Sequence, residues 1–413
     1  MKTFKIFSAV LALTMILAIL FVFAVSAEGL SLNNDDSIFE DIVICVGSDE
    51  TQKNISWYST ENVSGEIDYA VRNSDSNEFP DEYKTVKATV AKAKIKTGFY
   101  VNYATIIDLT SETEYVYRLR AGGKMSAVYS FDTGSFGDYD FIFAGDPQIK
   151  TESHGRKWSD TLNKIFSHFS NAKLIVSAGD QVGSNGSVDI GESAAEVHWS
   201  NFLVDELRQI TFAPSAGPAH DIKSSDDSFS SYSEHFYFPN LSDKYGVTES
   251  ASDYWYTYNN TLFMHLNVAD HEAIHSEHEQ FITEAMLENP YAVWKIVVIH
   301  YPQYSVGPHA NPENQYYNFV TKTKREALAP QFTALGVDLV LSGHDHLYVR
   351  SEIMNVLLLS DDVIENNCVT DPKGPLYVVA GSSTGTSFAK NELSSESSYY
   401  AAKISDESRK SII

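Results

Sequence analysis

Short runs rich in β-branched and aromatic residues, separated by polar turns, fill the chain from Asp41 to Gly134. Residues of these types are enriched in β-strands, so the runs predict strands. Seven runs fit the pattern: residues 42–46, 54–59, 66–71, 85–89, 103–109, 114–120 and 127–132. Because seven short strands at this spacing are typical of two packed antiparallel sheets, residues 41–136 are predicted to form an all-β sandwich.

Beyond Gly137 the pattern changes to continuous apolar runs that each end in a polar loop. Strand candidates are residues 140–144, 173–178, 209–213, 262–268, 294–299, 337–341 and 376–380. Apolar residues at helical spacing follow the first of these runs, and a second amphipathic stretch, residues 325–335, precedes the run at 337–341. Strands that alternate with helices predict a layered α/β domain over residues 137–390. The Ser- and charge-rich residues 391–413 show no strand pattern and are interpreted as a polar tail or a truncated domain end.

The first 27 residues have the pattern of an export signal. Lys2 and Lys5 precede an uncharged apolar run over residues 6–24, and small residues follow it up to Ala27. We therefore predict a signal peptide over residues 1–27, a linker over residues 28–40, and a secreted or extracytoplasmic protein. The apolar run is also long enough to cross a bilayer, so a membrane anchor through an uncleaved signal is the alternative.

The chain is strongly acidic, with 55 acidic and 30 basic residues and a formal net charge of −25. Removal of residues 1–27, which contain two lysines and no acidic residue, would lower it to −27. Nucleic acids are bound largely through cationic contacts to phosphate, so a stably held nucleic acid partner is disfavoured, whereas a small anionic molecule is not. Two cysteines, Cys45 and Cys368, cannot form a disulfide framework. Nothing in the sequence sets the oligomeric state.

Residues that can bind metal ions follow five of the predicted α/β strands. They are Asp146 and Gln148, then Asp180, then His220 and Asp221, then His300, and finally His344 and His346. Ligands of α/β sheets bind beyond the carboxyl ends of the strands, so these side chains are predicted to converge. A mixed carboxylate and imidazole shell suits two divalent or trivalent ions, Mn, Fe or Zn. The His-x-His pair alone would equally fit a structural or surface role, and the other strand ends favour the metal site.

The order of these motifs resembles that of the calcineurin-like metallophosphoesterases. The resemblance spans residues 140 to about 385 and is carried by residues 145–148, 179–180, 219–221, 299–300 and 343–346. It implies that Asp146, Gln148 and His346 hold a first metal ion. It also implies that His300 and His344 hold a second, with Asp180 as the bridge. His220 would be the general acid or transition-state stabiliser, oriented by Asp221.

The N-terminal half has a resemblance of its own. Residues 104–118 and 130–134 look like the fibronectin-type domain that precedes the catalytic domain of purple acid phosphatases. The implied architecture is an N-terminal fibronectin- or immunoglobulin-like sandwich, followed by a metallophosphoesterase domain with α-β-β-α layers. The implied activity is hydrolysis of phosphomonoesters or phosphodiesters by a metal-bound hydroxide, with a small phosphate ester as the substrate.

Three positions depart from the family pattern. Gln148 stands where many relatives have His, and its amide oxygen is a neutral and weaker ligand. Gly183 stands where purple acid phosphatases have a Tyr three residues after the bridging Asp, so no tyrosinate-to-iron colour is expected. Ala219 stands where the family has an Asn that binds the second metal ion, and its methyl group cannot coordinate a metal.

The loss of this Asn keeps a second hypothesis open. A degenerate binding protein would retain the fold and one metal ion but show weak or no turnover. Metal stoichiometry separates the two hypotheses, because an enzyme should hold about two ions per chain and a degenerate protein one or none. A nuclease is a third interpretation, disfavoured by the acidic charge.

Overall fold

The computed structural model describes residues 33–73, 78–183, 192–218, 220–222, 230–268, 275–362, 368–395, 397–405 and 413. The predicted signal peptide, the first part of the predicted linker and Ala219 lie outside these ranges. Both cysteines are free, with Cys45 buried and Cys368 exposed. None of the helices in these ranges is long and apolar enough to span a membrane.

The N-terminal half contains ten strands. They are β1 (Asn33–Asn34), β2 (Phe39–Val46), β3 (Lys53–Ser59), β4 (Glu66–Val71), β5 (Lys84–Lys87), β6 (Thr89–Lys92), β7 (Tyr100–Ile106), β8 (Glu114–Ala121), β9 (Lys124–Met125) and β10 (Tyr129–Asp132). One sheet, the N-terminal sheet, has the order β1-β9-β8-β4-β5, with β10 also paired to β8. Strand β3 belongs to a second sheet, and Trp57 of β3 and Tyr117 of β8 are fully buried in the core between the two sheets.

The second half alternates strands and helices. Its strands are β11 (Ile142–Ala144), β12 (Leu174–Ser177), β13 (Thr211–Pro214), β14 (Tyr254–Tyr258), β15 (Thr261–Leu266), β16 (Trp294–Ile299), β17 (Leu339–Ser342), β18 (Tyr348–Asn355), β19 (Leu358–Leu359), β20 (Leu376–Val379) and β21 (Ala401–Ser405). Its α-helices are α1 (Glu152–His168), α2 (Glu192–Phe202), α3 (Tyr232–His235), α4 (His275–Glu288) and α5 (Thr323–Ala334). A π-helical turn, Asn318–Lys322, leads into α5.

The two halves share one sheet, the shared sheet, with the order β11-β12-β13-β2-β3-β7-β6. Strand β2 of the N-terminal half pairs in parallel with β13, where Cys45 lies opposite Phe212. Residues 33–40, expected to lie in a linker, instead contribute β1, a 3₁₀ turn and the start of β2, and Ile38 and Phe39 are buried. The junction is therefore built from backbone pairing as well as from side-chain packing.

The second half has four layers, which confirms the predicted fold class. The C-terminal sheet has the order β14-β15-β16-β17-β20-β18-β19, with β21 paired to β18. Side chains of α1 and α2 cover the outer face of the shared sheet, and those of α4 and α5 cover the outer face of the C-terminal sheet. Between the sheets, Phe143, Val176, Phe263 and Val298 pack in one cluster. Continuous apolar strands are required here because both faces of each central strand are buried.

Helix α1 shows how the local sequence sets an element beside the site. The Thr151 side chain caps it by accepting a hydrogen bond from the His154 N–H. The apolar residues whose helical spacing predicted this helix include Trp158, Leu162 and Ile165, and all three are fully buried. Phe169 continues the same spacing, but it lies at the C-terminal cap and is exposed. The predicted helical periodicity therefore holds up to the last turn.

The interpretation of residues 391–413 as a region without a strand was wrong. Residues Ala401–Ser405 form β21, which pairs antiparallel with β18. In addition, the backbone of Ile413 exchanges two hydrogen bonds with Phe143 of β11, at 2.7 and 3.0 Å. Edge pairing of this kind depends on backbone groups, so the polar composition of the segment carried no signal for it.

His265 on β15 should make stability depend on pH. Its imidazole is buried, contacts the Ser215 hydroxyl at 2.9 Å and stacks on Tyr254. Burial lowers the pKa of His265 to about 3. In the unfolded chain His265 takes up a proton near pH 6.5, whereas in the folded chain it stays neutral down to about pH 3. The free energy of unfolding therefore decreases as the pH falls from about 6.5 towards 3.

We expect His265→Gln to remove this component. The free energy of unfolding, measured with urea at pH 7 and pH 5, should fall by about 2 kcal/mol less in the variant than in the parent, at about 1.4 kcal/mol per pH unit. His168→Gln, at the exposed end of α1, is the matched control and should keep the parent's pH dependence. Equal pH dependence in all three proteins would show that His265 is protonated in the folded state.

Candidate active site

The predicted site residues lie where the carboxyl ends of the two central sheets meet. Strands β11, β12 and β13 of the shared sheet run parallel, as do β15, β16, β17 and β20 of the C-terminal sheet. Asp146, Asp180, His300 and His344 follow β11, β12, β16 and β17 within a few residues. Parallel strands therefore deliver ligands from two sheets to one point.

The backbone of the site adopts the left-handed region at most of its predicted ligands. Twelve non-glycine residues in the described ranges have a positive φ, and five of them are site residues. These are Asp146 (42°), Gln148 (48°), Asp180 (54°), His344 (72°) and His346 (53°). A positive φ at a non-glycine residue costs free energy, and such residues concentrate at functional sites. Their clustering at these strand ends therefore indicates a functional site.

Asp146, Asp180 and His346 form a first group of metal donors, whose ligand atoms all lie within 4.8 Å of one another. Both carboxylate oxygens of Asp146 accept hydrogen bonds from the His344 N–H, at 2.9 and 3.0 Å. The Nε2 atom of His346 lies 3.8 Å from Asp146 Oδ1, and its Nδ1 lies 2.6 Å from the Ser387 hydroxyl. Ser387 thereby orients the imidazole so that Nε2 faces the carboxylates.

Asp180, His300 and His344 form a second group with the same spacing limit of 4.8 Å. The Nδ1–H of His300 donates to the Ala178 carbonyl oxygen at 2.9 Å, which leaves the Nε2 lone pair free. This Nε2 lies 3.3 Å from Asp180 Oδ1 and 3.2 Å from His344 Nδ1. Asp180 belongs to both groups, which is the arrangement that a carboxylate between two cations requires.

Gln148 faces Asp180 through its amide. Its Nε2 donates to Asp180 Oδ2 at 3.0 Å and lies 3.5 Å from His220 Nε2. A metal ion would need the amide oxygen on that side, which a rotation of the amide group supplies, because the two ends of an amide have the same shape. The side chain is therefore in place for either role, as a neutral ligand or as a hydrogen-bond donor to Asp180.

The expected contact between Asp221 and His220 is not formed among the described residues. Asp221 is fully buried, and its two oxygens accept hydrogen bonds from the Val182 N–H at 3.1 Å and the Gly217 N–H at 2.8 Å. The imidazole of His220 is instead oriented by the Gly183 carbonyl oxygen, 2.9 Å from Nδ1. Orientation of His220 by Asp221 was thus a wrong prediction, because backbone amides of the two ligand loops use both oxygens of this carboxylate.

His220 nevertheless reaches the site. Its Nε2 lies 3.7 Å from Asp180 Oδ2, and the side chain is about one-third exposed, at 32%. Since the Gly183 carbonyl holds the proton on Nδ1, the exposed Nε2 is the atom available to a substrate. Ala219, the residue before it, lies outside the described residues.

Burial and mutual repulsion govern the charges of the site. Burial, followed by the nearby Asp180 charge, raises the pKa of Asp146 and that of Asp221 well above the usual range of a carboxyl group. Burial also lowers the pKa of His300, His344 and His346. Neutral imidazoles facing crowded carboxylates are the protonation state in which histidine binds a metal ion.

A further imidazole, that of His309, also belongs to the site. Its Nδ1 lies 2.7 Å from Oδ1 of the buried Asp345, whose Oδ2 accepts a hydrogen bond from Ser305 at 2.5 Å. The rings of His309 and His344 are 4.3 Å apart. The sequence signal that could have found the pair is Asp345 itself, since it lies between two predicted ligands in His344-Asp345-His346 and needs a partner when buried.

The residues present fit two metal ions. Asp180 Oδ1 is buried and has no hydrogen-bond partner among the described residues, although it lies 3.3 Å from His300 Nε2 in the second donor group. Buried polar atoms are rarely left unsatisfied, and a cation between the two donor groups would satisfy this oxygen. Gly217 lines this space so closely that a Cβ there would lie 2.0 Å from Asp180 Oδ1. The site thus keeps a buried carboxylate oxygen without a hydrogen-bond partner in the middle of its donor groups.

Comparisons with known proteins agree with this geometry. Residues 39–133 match the family model "Purple acid Phosphatase, N-terminal domain", and residues 139–348 match "Calcineurin-like phosphoesterase". A purple acid phosphatase of Glycine max is 23% identical over 354 residues, which cover 79% of this chain and 68% of the relative. Purple acid phosphatase 5 of Arabidopsis thaliana is 24% identical over 336 residues, which cover 79% of this chain and 74% of the relative.

Two solved structures share the fold. The purple acid phosphatase PPD1 from yellow lupin (Lupinus luteus) seeds superposes with a TM-score of 0.67 at 12% identity, covering 89% of this chain and 68% of that one. The structure of PhoD gives a TM-score of 0.51 at 12% identity, covering 84% and 78%. Since the second family model matches just over half of the chain, the protein belongs to the calcineurin-like phosphoesterase family, with a purple acid phosphatase N-terminal domain ahead of its catalytic domain.

Proposed function

We propose that the protein is a metal-dependent phosphoesterase that hydrolyses small phosphomonoesters or phosphodiesters outside the cytosol. The observation that carries the proposal is the pair of donor groups that share Asp180, whose Oδ1 is buried without a hydrogen-bond partner among the described residues. Family membership supports metal-dependent hydrolysis of a phosphate ester. The substrate, the identity of the metal ions and the location in the cell are the parts that we add.

Each ligand has a proposed place. Asp146 and His346, with the amide oxygen of Gln148, would hold one ion, and His300 and His344 would hold the other, with Asp180 between them. When bound, two such ions neutralise phosphoryl oxygens and activate a water molecule as the nucleophile. Mn, Fe and Zn all suit this mixed shell. Because Gly183 replaces the tyrosine of the purple enzymes, an iron form should lack their tyrosinate absorption band.

The chain's own groups would complete the reaction around the ester. His220 would carry a proton on Nε2 and deliver it to the leaving alkoxide oxygen, since Nδ1 is held by the Gly183 carbonyl. Asp221 would hold the two ligand loops together through its hydrogen bonds to Val182 and Gly217. His309, oriented by Asp345, would donate a hydrogen bond to a phosphoryl oxygen.

The substitution at Ala219 keeps the degenerate binding protein as the second candidate. The second donor group nevertheless retains one carboxylate and two imidazoles without any contribution from residue 219. Three protein ligands are the number found in many catalytic zinc sites, in which water takes the remaining position. This favours an enzyme whose second ion is bound by fewer protein ligands over a protein that has lost it.

The location outside the cytosol rests on residues 1–27, whose sequence has the pattern of an export signal. Expression of the full chain and sequencing of the mature N-terminus would test it. A mature chain that begins at Glu28 is expected. An intact N-terminus recovered in the membrane fraction would instead support the anchored alternative.

The activity is tested with residues 28–413, freed of metal by chelation and reloaded with Mn²⁺, Zn²⁺ or Fe. We expect hydrolysis of aryl phosphomonoesters or phosphodiesters that requires the added ion, with about two ions bound per chain. Metal content is measured in the same samples. No turnover with any ion, together with one ion or fewer per chain, would favour the degenerate binding protein.

A further inference from the structure

A second cluster of metal donors lies away from the candidate active site, where the two halves of the chain meet. Asp41 of β2, Glu196 of α2 and His235 at the end of α3 bring one ligand atom each to within 4.8 Å of the others. All three residues are buried, with exposures of 7%, 7% and 1%. We call these three residues the junction cluster.

The junction cluster contains buried polar atoms that lack partners. His235 Nε2 lies 3.3 Å from Glu196 Oε2, yet neither ring nitrogen of the buried His235 has an aligned hydrogen-bond partner among the described residues. A buried imidazole and carboxylate that formed a simple pair would align an N–H with an oxygen. Their proximity without alignment is the arrangement of two ligands that face a common third point.

The charge around the cluster also favours a cation. The amine of Lys96 lies 2.6 Å from Asp41 Oδ2 and 2.8 Å from Glu40 Oε2. Asp41, Glu196 and Glu234 are buried acids, and buried like charges repel strongly. Lys96 occupies only one oxygen of Asp41, so the other remains available to a cation.

Glu234 has a different role from Glu196. Its oxygens already accept hydrogen bonds from the Lys94 N–H at 2.9 Å and the Tyr58 hydroxyl at 3.2 Å. It therefore contributes charge to the neighbourhood but is not needed as a ligand. This difference between two acids of one cluster supplies a matched control.

An entry route exists beside Asp41. A surface cavity of about 530 Å³ is lined on one side by Glu40 and Asp41 and on the other by residues of α1 and of the segment after α2. The cavity therefore brings solvent up to Asp41, one of the three residues of the junction cluster.

From this geometry we infer that Asp41, Glu196 and His235 bind a divalent cation of the zinc or manganese class at the junction of the two halves. Two carboxylates and one imidazole form a donor set that such ions accept at about 2.0–2.2 Å. The ion would connect β2 of the N-terminal half to two helices of the catalytic half, so its role would be structural. The inference is independent of the proposed hydrolysis.

The experiment uses the chain of residues 28–413 carrying Asp146→Ala and Asp180→Ala, which removes both carboxylates of the two donor groups of the candidate active site. The protein is stripped with chelator and dialysed against ZnCl₂ or MnCl₂ at micromolar concentration, and its metal content and Tm are measured. We expect about one ion per chain and a Tm that falls when chelator is added. A chain that retains no ion would overturn the inference and leave an ion-pair network in its place.

Two isosteric variants on this background locate the ion. Glu196→Gln should weaken zinc binding by about 100-fold or more, because a lost ligand costs at least as much as a lost outer partner. Glu234→Gln removes a similar buried charge but no ligand, so it should bind zinc as the background does. Equal binding in both variants would place the ion elsewhere and contradict the inference. Should Glu196→Gln fold poorly, Asp41→Asn on the same background is the alternative and should weaken zinc binding to a similar extent.

Discussion

The largest expected effect is a loss of about 10³-fold or more in kcat/KM when Asp180 is replaced by Asn. Asp180 is the one residue present in both donor groups, and it also contacts Gln148 and His220. Asparagine keeps the shape but removes the negative charge that would offset the repulsion between two cations. Hydrolysis of an aryl phosphate and metal content per chain are the two measurements.

The matched control for this substitution is Asp160→Asn on the exposed side of α1. It makes the same chemical change to an acid outside the site and should leave both measurements unchanged. An Asp180→Asn protein that retains two ions and the parent's kcat/KM would show that Asp180 does not bridge them. Loss of turnover with full metal content would instead limit the role of Asp180 to the chemical step.

The second large effect is expected for substitution of Gly217, where a single added methyl group should disable the site without any change of charge. A Cβ at this position would lie 2.0 Å from Asp180 Oδ1 and 2.4 Å from the Asp180 backbone nitrogen. Neither atom can move away from the added Cβ, since Asp180 is buried and its backbone is already in the left-handed region, at a φ of 54°. We expect Gly217→Ala to lower kcat/KM by about 100-fold and the stability by about 1–3 kcal/mol.

Kinetic assays and urea unfolding test this prediction side by side. Gly137→Ala is the control, because the nearest atom to the added methyl carbon would be Ser135 Oγ at 3.6 Å, an ordinary contact distance. That variant should match the parent in both assays. A Gly217→Ala protein with normal activity and metal content would mean that the Asp180 loop can shift without loss of the site.

Much of the fold could be predicted because periodicity reports burial. The apolar runs that became β12, β16 and β17 are buried over most of their length, so they needed no polar alternation. Ligand positions followed from the same rule, since the residues just past these runs must lie at the carboxyl edges of the sheets. The type of each residue then indicated metal chemistry before any contact was known.

Contacts between distant segments could not be predicted in this way. From the sequence, the carboxylate of Asp221 could have contacted either His220 or backbone amides. In the folded protein it accepts hydrogen bonds from the Val182 and Gly217 N–H groups, because the packed loops place those amides beside it. The pairing of Asp345 with His309 likewise joins residues 36 positions apart. Which donor meets which acceptor depends on loop geometry that one sequence pattern does not encode.

The sequence alone determined the two-part architecture, the order of the candidate metal ligands along the chain and the strand ends that carry them, because these depend on local periodicity and residue chemistry. The tertiary structure decided the rest. It placed β2 in the sheet of the catalytic half, added β21 from a polar segment and assembled the junction cluster from Asp41, Glu196 and His235. Those features depend on backbone pairing and on the close packing of segments far apart in the chain, which leave no periodic trace in the sequence.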